Sequence, residues 1–131
     1  MRVSAKADYA VRAAAELAAS SEGPVKGERL AEAQDIPLQF LEHILLELKH
    51  AGLIRARRGA KGGYWLARPA EEITVLEVVQ TLDGKVGQEA DEAGGIWREG
   101  VTALRKVFGE TTIAEVARRE AAEAGSGMYF I

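Results

Sequence analysis

Residues 27–69 read GERLAEAQDIPLQFLEHILLELKHAGLIRARRGAKGGYWLARP. Two helical patterns stand close together, and a two-residue alternation follows them. The first spans about Gly27 to Gln34 and buries Leu30 and Ala31. Its capping position falls on Lys26, a poor N-cap. Asp35-Ile36-Pro37 interrupts, with Pro37 near the start of the next helix, where a missing N–H costs little. Leu38, Leu41, Ile44, Leu45 and Leu48 then form an apolar stripe, opposite Gln39, Glu42, His43, Leu46 and Lys49. Gly52 is placed to end that helix in the left-handed conformation. Beyond it the period becomes two. Leu53-Ile54-Arg55-Ala56-Arg57 predicts a strand and Tyr64-Trp65-Leu66-Ala67 its partner. Arg58-Gly59-Ala60-Lys61-Gly62-Gly63 is the hairpin tip, its glycines suited to positive φ, and Pro69 closes the unit.

Upstream, Ala7, Ala10, Val11, Ala14, Leu17 and Ala18 recur at helical spacing over residues 5–19, behind Ser4 as N-cap. Ser20-Ser21-Glu22-Gly23-Pro24 is a break. Downstream, Thr74-Val75-Leu76-Glu77 is a capping box opening a helix to Leu82, closed by Asp83-Gly84. Residues 85–94 predict a short polar loop. A longer helix follows over about Ile96 to Phe108, stopped by Gly109. It carries two adjacent apolar stripes: Trp97, Val101, Leu104 and Phe108, then Ile96, Ala103 and Val107. Thr112-Ile113-Ala114-Glu115 is a second capping box, starting a helix to about Glu123. Gly125-Ser126-Gly127 precedes an apolar tail, Met128 to Ile131. The expectation is therefore a mainly α chain with a small β-hairpin. Residues 1–70 would form one domain, and residues 71–131 a helical linker and dimerisation region.

Composition narrows the function. The 131 residues are 47% hydrophobic and 28% charged, ordinary for a folded domain. No apolar run approaches the roughly 20 residues of a membrane span, and no apolar segment follows the first residues as in a secretion signal. A cytoplasmic protein is expected. With no cysteine and only two histidines, thiolate metal sites, disulfides and Cys nucleophiles are excluded. No nucleophile–base pair, P-loop or metal-ligand cluster suggests an enzyme, and no cofactor is expected. Charge is unevenly shared. Residues 1–70 hold 11 basic and 8 acidic side chains, residues 71–131 hold 6 and 12. A basic first half and an acidic second half suggest separate tasks.

Helix, short helix, tight turn, helix and basic hairpin make a winged helix-turn-helix. The third helix keeps one apolar face for a core and leaves its polar face for a major groove. Arg55, Arg57, Arg58 and Lys61 lie within seven residues and no acid interrupts them. Glycines let such a hairpin approach phosphates closely, and an Arg can enter a narrow minor groove. Gln39 and His43 flank Glu42 and could reach base edges, with phosphate a second option for His43. Trp65 either covers a pocket beside the wing or packs on the first helix, the reading we prefer.

The stretches MRVSAKADYAVRA, LAEAQDIPLQFLEHILLELKHAGLI and RRGAKGGYWLARPAEEIT carry a resemblance to the Rrf-two family (BadM/IscR/NsrR-type) of bacterial winged helix-turn-helix regulators. It continues through VVQTLDG and, more weakly, GIWREGVTALRKVFGETTIAEV. The resemblance implies a homodimer bound to a palindromic operator on double-stranded DNA, with the long helix crossing its partner through Trp97, Val101, Leu104 and Phe108. The two stripes agree, since a surface helix needs one. It implies base reading by Glu42, whose carboxylate can accept from cytosine N4; a helix-surface acid paired with neighbours is the alternative. It implies minor-groove insertion of Arg58 within a wing that includes Arg57 and Lys61. It makes Lys6, Tyr9, Arg29 and Arg55 candidate phosphate contacts.

Departures from the family pattern matter too. Many members hold an iron–sulfur cluster through three Cys before the dimerisation helix. Here that stretch, residues 85–94, has none, and a cluster cannot bind as it does there. Glu89, Asp91 and Glu92 are read as solvated acids. Pro37 stands where relatives often have Ser, and Phe40 where they often have Tyr. The function expected is a cysteine-free, homodimeric repressor. The alternatives are a regulator sensing a small molecule or partner protein, and a winged-helix interaction module.

Overall fold

The computed structural model describes residues 3–20 and 23–128, with side chains through residue 124. The chain runs α1 (Ala5–Ala19), α2 (Gly27–Gln34), α3 (Leu38–His50), β1 (Ile54–Arg57), β2 (Gly63–Leu66), a 3₁₀ turn (Ala70–Glu72), α4 (Val75–Asp83), α5 (Gln88–Ala93), α6 (Gly95–Glu110) and α7 (Ile113–Met128). The mainly α architecture with a hairpin wing is the one the sequence predicts. No helix among the described residues is long and apolar enough to cross a membrane.

Helix α1 is the hub. Ser4 caps it by accepting the Ala7 N–H at 3.0 Å. Its inner face is Ala7, Ala10, Ala13, Ala14 and Leu17, all buried. Small side chains let several elements approach one axis, and α1 packs on α2, α3, β2, α4 and α7. The main core joins Leu30, Leu41, Ile44, Leu45, Leu48 and Ile54 to Ile73, Val78 and Ile113. Residues on both sides of position 70 thus share one core.

The helix-turn-helix closes through backbone geometry. Asp35 ends α2 at φ +51, and the Ile36 N–H returns to the Ala31 carbonyl at 2.9 Å. Helix α3 ends in a Schellman motif: Gly52, at φ +78, donates to Lys49, and Leu53 donates to Leu48. The hairpin is antiparallel, with Ile54 opposite Leu66, Arg55 opposite Trp65 and Arg57 opposite Gly63. Val25, ahead of α2, exchanges both backbone hydrogen bonds with Tyr64, at 2.9 and 2.8 Å. A Cβ at Gly63 would stand 2.6 Å from the Val25 carbonyl oxygen, so only glycine permits this pairing.

Several expectations need correction. Residues 85–94 are not simply a loop. Gln88–Ala93 form α5, and Val86 is buried against Val101 in a second cluster with Ala7 and Val79. Gly109 does not stop α6, which continues to Glu110. Its position is one of close packing, with Leu76 Cδ2 at 3.6 Å from where a Cβ would sit. Gly125-Ser126-Gly127 does not break α7, which reaches Met128; residues 129–131 of the apolar tail lie outside the described residues. Thr74 and Thr112 cap as expected, accepting the Glu77 and Glu115 N–H at 3.1 Å. The Glu77 carboxylate pairs with Arg68 instead of completing its box.

Candidate nucleic-acid interface

Leu41, Ile44, Leu45 and Leu48 anchor α3 in the core, which turns Gln39, Glu42, His43, Leu46 and Lys49 outward. The hairpin stands beside this face. Between them runs a groove of about 490 Å³ lined by Glu42, Leu46, Lys49, Arg57, Arg58 and Tyr64. Burial, then Glu42 and Glu28, push the Tyr64 hydroxyl above its ordinary range, so it stays a neutral donor. Lys49 sits seven residues after Glu42, two helical turns along one face, and adds a cation to the groove that the residue pattern of α3 alone does not single out.

The tip is braced from two sides. Arg57 Nη2 donates to the Lys61 carbonyl at 3.1 Å, and Lys26 Nζ donates to the Gly59 carbonyl. Arg57 therefore stiffens the hairpin, while Arg58 and Lys61 are exposed at its end. A Cβ at Gly62 would meet the Arg57 carbonyl oxygen at 2.0 Å, so the tip tolerates no side chain there. Lys26, a poor N-cap for α2, thus serves the wing tip instead.

The flanking candidates divide. Arg29 and Arg55 are exposed. Tyr9 is half-buried with its ring edge-on to Phe40, centroids 5.6 Å apart, and the Arg12 guanidinium lies 5.7 Å from its ring. Lys6 is paired with Glu47, Nζ to Oε2 at 2.9 Å, so its charge is already matched. Trp65 is half-buried and lines a cavity with Leu17 and Ala18 of α1, without joining the core.

The long helix is used on two sides. Val101 is 5% exposed, packed within its own chain, and Leu104 leans on the same cluster. Phe108 is half-buried. Ile96, Trp97 and Val107 are 67%, 67% and 59% exposed. Val101 and Leu104, expected at a dimer interface, are thus taken up by α6 packing on α4. The second stripe and Trp97 are the apolar residues left outside.

A family model described as "Rrf2: Iron-dependent Transcriptional regulator" matches residues 3–119. A Mycobacterium tuberculosis protein named as an HTH-type transcriptional regulator is 43% identical over 131 aligned residues, covering 89% of this chain and 81% of that one. The HTH-type transcriptional regulator IscR of Xenorhabdus nematophila is 32% identical over 92% of this chain and 81% of its own. Among solved structures, CymR, the global cysteine regulator of B. subtilis, superposes with a TM-score of 0.83 at 27% identity, over 91% of this chain and 98% of that one. IscR of T. potens gives 0.79 at 33% identity, over 95% and 90%. These relatives are named as regulators of transcription, not as enzymes.

The donor set here does not fit an iron–sulfur cluster. The chain has no cysteine. In the segment before α6, Asp91 is spent on Arg105, with bonds of 3.1 and 2.6 Å, and Val86 is buried. Among the described residues, no three His, Cys, Asp or Glu side chains are grouped to hold a metal ion.

Proposed function

The chain belongs to the Rrf2 family of transcriptional regulators, and from that premise we propose that it acts as a homodimeric repressor, occluding a promoter by binding a palindromic operator without an iron–sulfur cluster. The observation that carries this reading is the exposed Arg58 at a braced wing tip, sharing one groove with Glu42 and Lys49 of α3. In this reading α3 enters the major groove, where Gln39, Glu42 and His43 meet base edges. Arg58 enters the adjacent minor groove. Arg29, Arg55 and Lys61 face phosphates, and Tyr9 supports the entry of α3 through Phe40. Lys6 would have to give up Glu47 to reach a phosphate. The dimer face is Ile96, Trp97, Ala103 and Val107, the exposed apolar part of α6, and two α3 helices then meet half-sites about one DNA turn apart.

Selection of bound duplexes from a random pool tests this. A palindromic motif with steep salt dependence of binding supports it, and binding without sequence preference or salt dependence sinks it. Glu42→Ala sharpens the test. A carboxylate in the groove rewards a cytosine but repels phosphate and loses hydration where no donor meets it. The best operator should therefore stay within about tenfold of wild-type affinity, while the selected motif broadens at one symmetric position per half-site. An unchanged motif reduces Glu42 to a helix-surface acid.

A further inference from the structure

A second cavity, of about 580 Å³, lies between the C-terminal end of α1, Pro24 and the base of the wing. Small-molecule sites are commonly of about 300–1,000 Å³, mostly apolar, with a few polar groups that fix orientation. This cavity has that make-up. Leu17, Pro24, Trp65 and Pro69 supply apolar wall, and among the described residues Arg57 and Arg68 supply two guanidinium groups and Glu71 one carboxylate. One arginine has a donor to spare. Arg68 Nη2 is engaged by Glu77, but its Nε is buried and without a hydrogen-bond partner. A buried donor left unpaired is costly, and a ligand acceptor would relieve it.

We propose that this cavity binds a small monocarboxylic acid with an apolar or aromatic body, and that the bound ligand is read at the wing through Arg57. The Trp65 ring offers a face to the apolar body. The Arg68 Nε–H and the Arg57 guanidinium offer charge-assisted bonds to the carboxylate. Glu71, and Glu77 on Arg68, oppose a more highly charged anion, which favours a monoanion. Arg57 lines both this cavity and the groove beside α3, and its Nη2 also holds the Lys61 carbonyl across the tip that carries Arg58. Arg57 pairs with Gly63 in the hairpin register, two residues from Trp65 on β2, so the diagonal neighbours Arg57 and Trp65 share a sheet face. A carboxylate that takes the Arg57 donor releases the tip. Ligand and DNA then oppose each other, and the coupling is reciprocal. This second half rests on the DNA-binding reading above; the ligand site does not.

Calorimetric titration of the full chain with phenylacetate and octanoate, and with phenylacetamide as the uncharged control, tests the site. At least one acid should bind saturably at one per chain, and phenylacetamide about tenfold or more weakly than phenylacetate. Arg68→Lys, which keeps a cation for Glu77 but lacks the fork, and Trp65→Leu, which keeps an apolar strand residue, should each weaken acid binding. Operator affinity should fall about fivefold or more at a saturating concentration of the acid that binds. No saturable binding of either acid, or equal binding of the amide, overturns the site. Acid binding with unchanged operator affinity overturns the coupling through Arg57. A chain that binds no DNA even without ligand fails the DNA-binding reading, and calorimetry still decides the cavity.

Discussion

The wing tip and the lead-in to α6 are both polar, glycine-bearing stretches, yet they behave as opposites. In the tip, Gly59 and Gly63 take positive φ and the turn is closed locally, by Gly62 donating to Gly59 and Arg57 donating to Lys61. Its free side chains point away from the body of the protein. In the lead-in, Gly84, Gly87, Gly94 and Gly95 also take positive φ. Here the glycines let the chain fold back under α6. Arg105 grips the segment twice, donating to the Val86 carbonyl at 2.8 Å and pairing with Asp91. Lys85 adds a second contact to Asp91 at 3.3 Å. The same residue types make a projecting tip in one place and a fastened turn in the other. What decides is what the partners take up. The tip's braces, Lys26 on Gly59 included, donate to its backbone carbonyls and leave the Arg58 and Lys61 side chains exposed, whereas those of the lead-in also take up the Asp91 side chain.

The largest test of that difference compares two glycines. At Gly87, φ is +76 and a Cβ would fall 1.8 Å from Val101 Cγ2. Gly87→Ala adds left-handed strain to overpacking and should cost about 2–5 kcal/mol of stability in chemical denaturation. At Gly62 the obstacle is the Arg57 carbonyl, inside the tip itself. Gly62→Ala should weaken DNA binding while leaving stability within about 1 kcal/mol of wild type, as expected for damage confined to a surface turn. If the two variants lose equal stability, the lead-in is not fastened as described.

Next in size is the outer face of α6. Val107 is exposed in the single chain, whereas Val101 is buried in it. Val107→Glu should leave the subunit folded but raise the dimer dissociation constant about 30- to 100-fold, because a charge is forced into an apolar interface. Val101→Glu should instead unfold the subunit. Sedimentation of Val107→Glu as an unperturbed dimer would move the interface elsewhere.

These pairs also explain what could be read in advance. Helices α1, α2 and α3 and the hairpin were legible because their determinants lie within a few residues: Ser4 before an alanine-rich stripe, Gly52 after a leucine stripe, glycines between two alternating strands. The basic wing and the polar face of α3 were legible for the same reason. Helix α5 was not, since Gln88–Ala93 has no apolar stripe and depends on Arg105, 14 residues beyond Asp91. Nor could two stripes on α6 say which would face α4. The Lys6–Glu47 pair, 41 residues apart in sequence, and the bracing of Gly59 by Lys26, 33 apart, are likewise products of packing.

For the tip itself, Arg58→Ala should lower operator affinity by roughly 1–3 kcal/mol with no change in stability. Arg58→Lys should recover part of the loss, since guanidinium sheds water more readily than ammonium and fits a narrow groove better. Unchanged binding by Arg58→Ala removes the tip from the interface and erases the functional side of the contrast with the lead-in.

The smallest effect concerns the fastening of the lead-in. The hydrogen-bonded Arg105 guanidinium, and then Lys85, hold the Asp91 carboxyl below its ordinary range against a partial desolvation that pushes it up. A carboxyl whose pKa is lowered by folding stabilises the native state only while it is ionised. In the unfolded chain that group titrates near about 3.9. Its contribution is therefore complete above that value and disappears as pH falls through it toward the lower native value. Asp91→Asn removes the charge at every pH. The stability gap between wild type and Asp91→Asn should accordingly be constant from neutral pH down to about pH 5 and close below about pH 4. Water reaches both partners, at 24% and 25% side-chain exposure, so screening keeps the gap small. Parallel denaturation series across this range decide the matter. No gap at neutral pH would mean that the ion pair does not fasten α5, and a gap that persists unchanged at pH 3 would mean that Asp91 holds the segment by some means other than its charge.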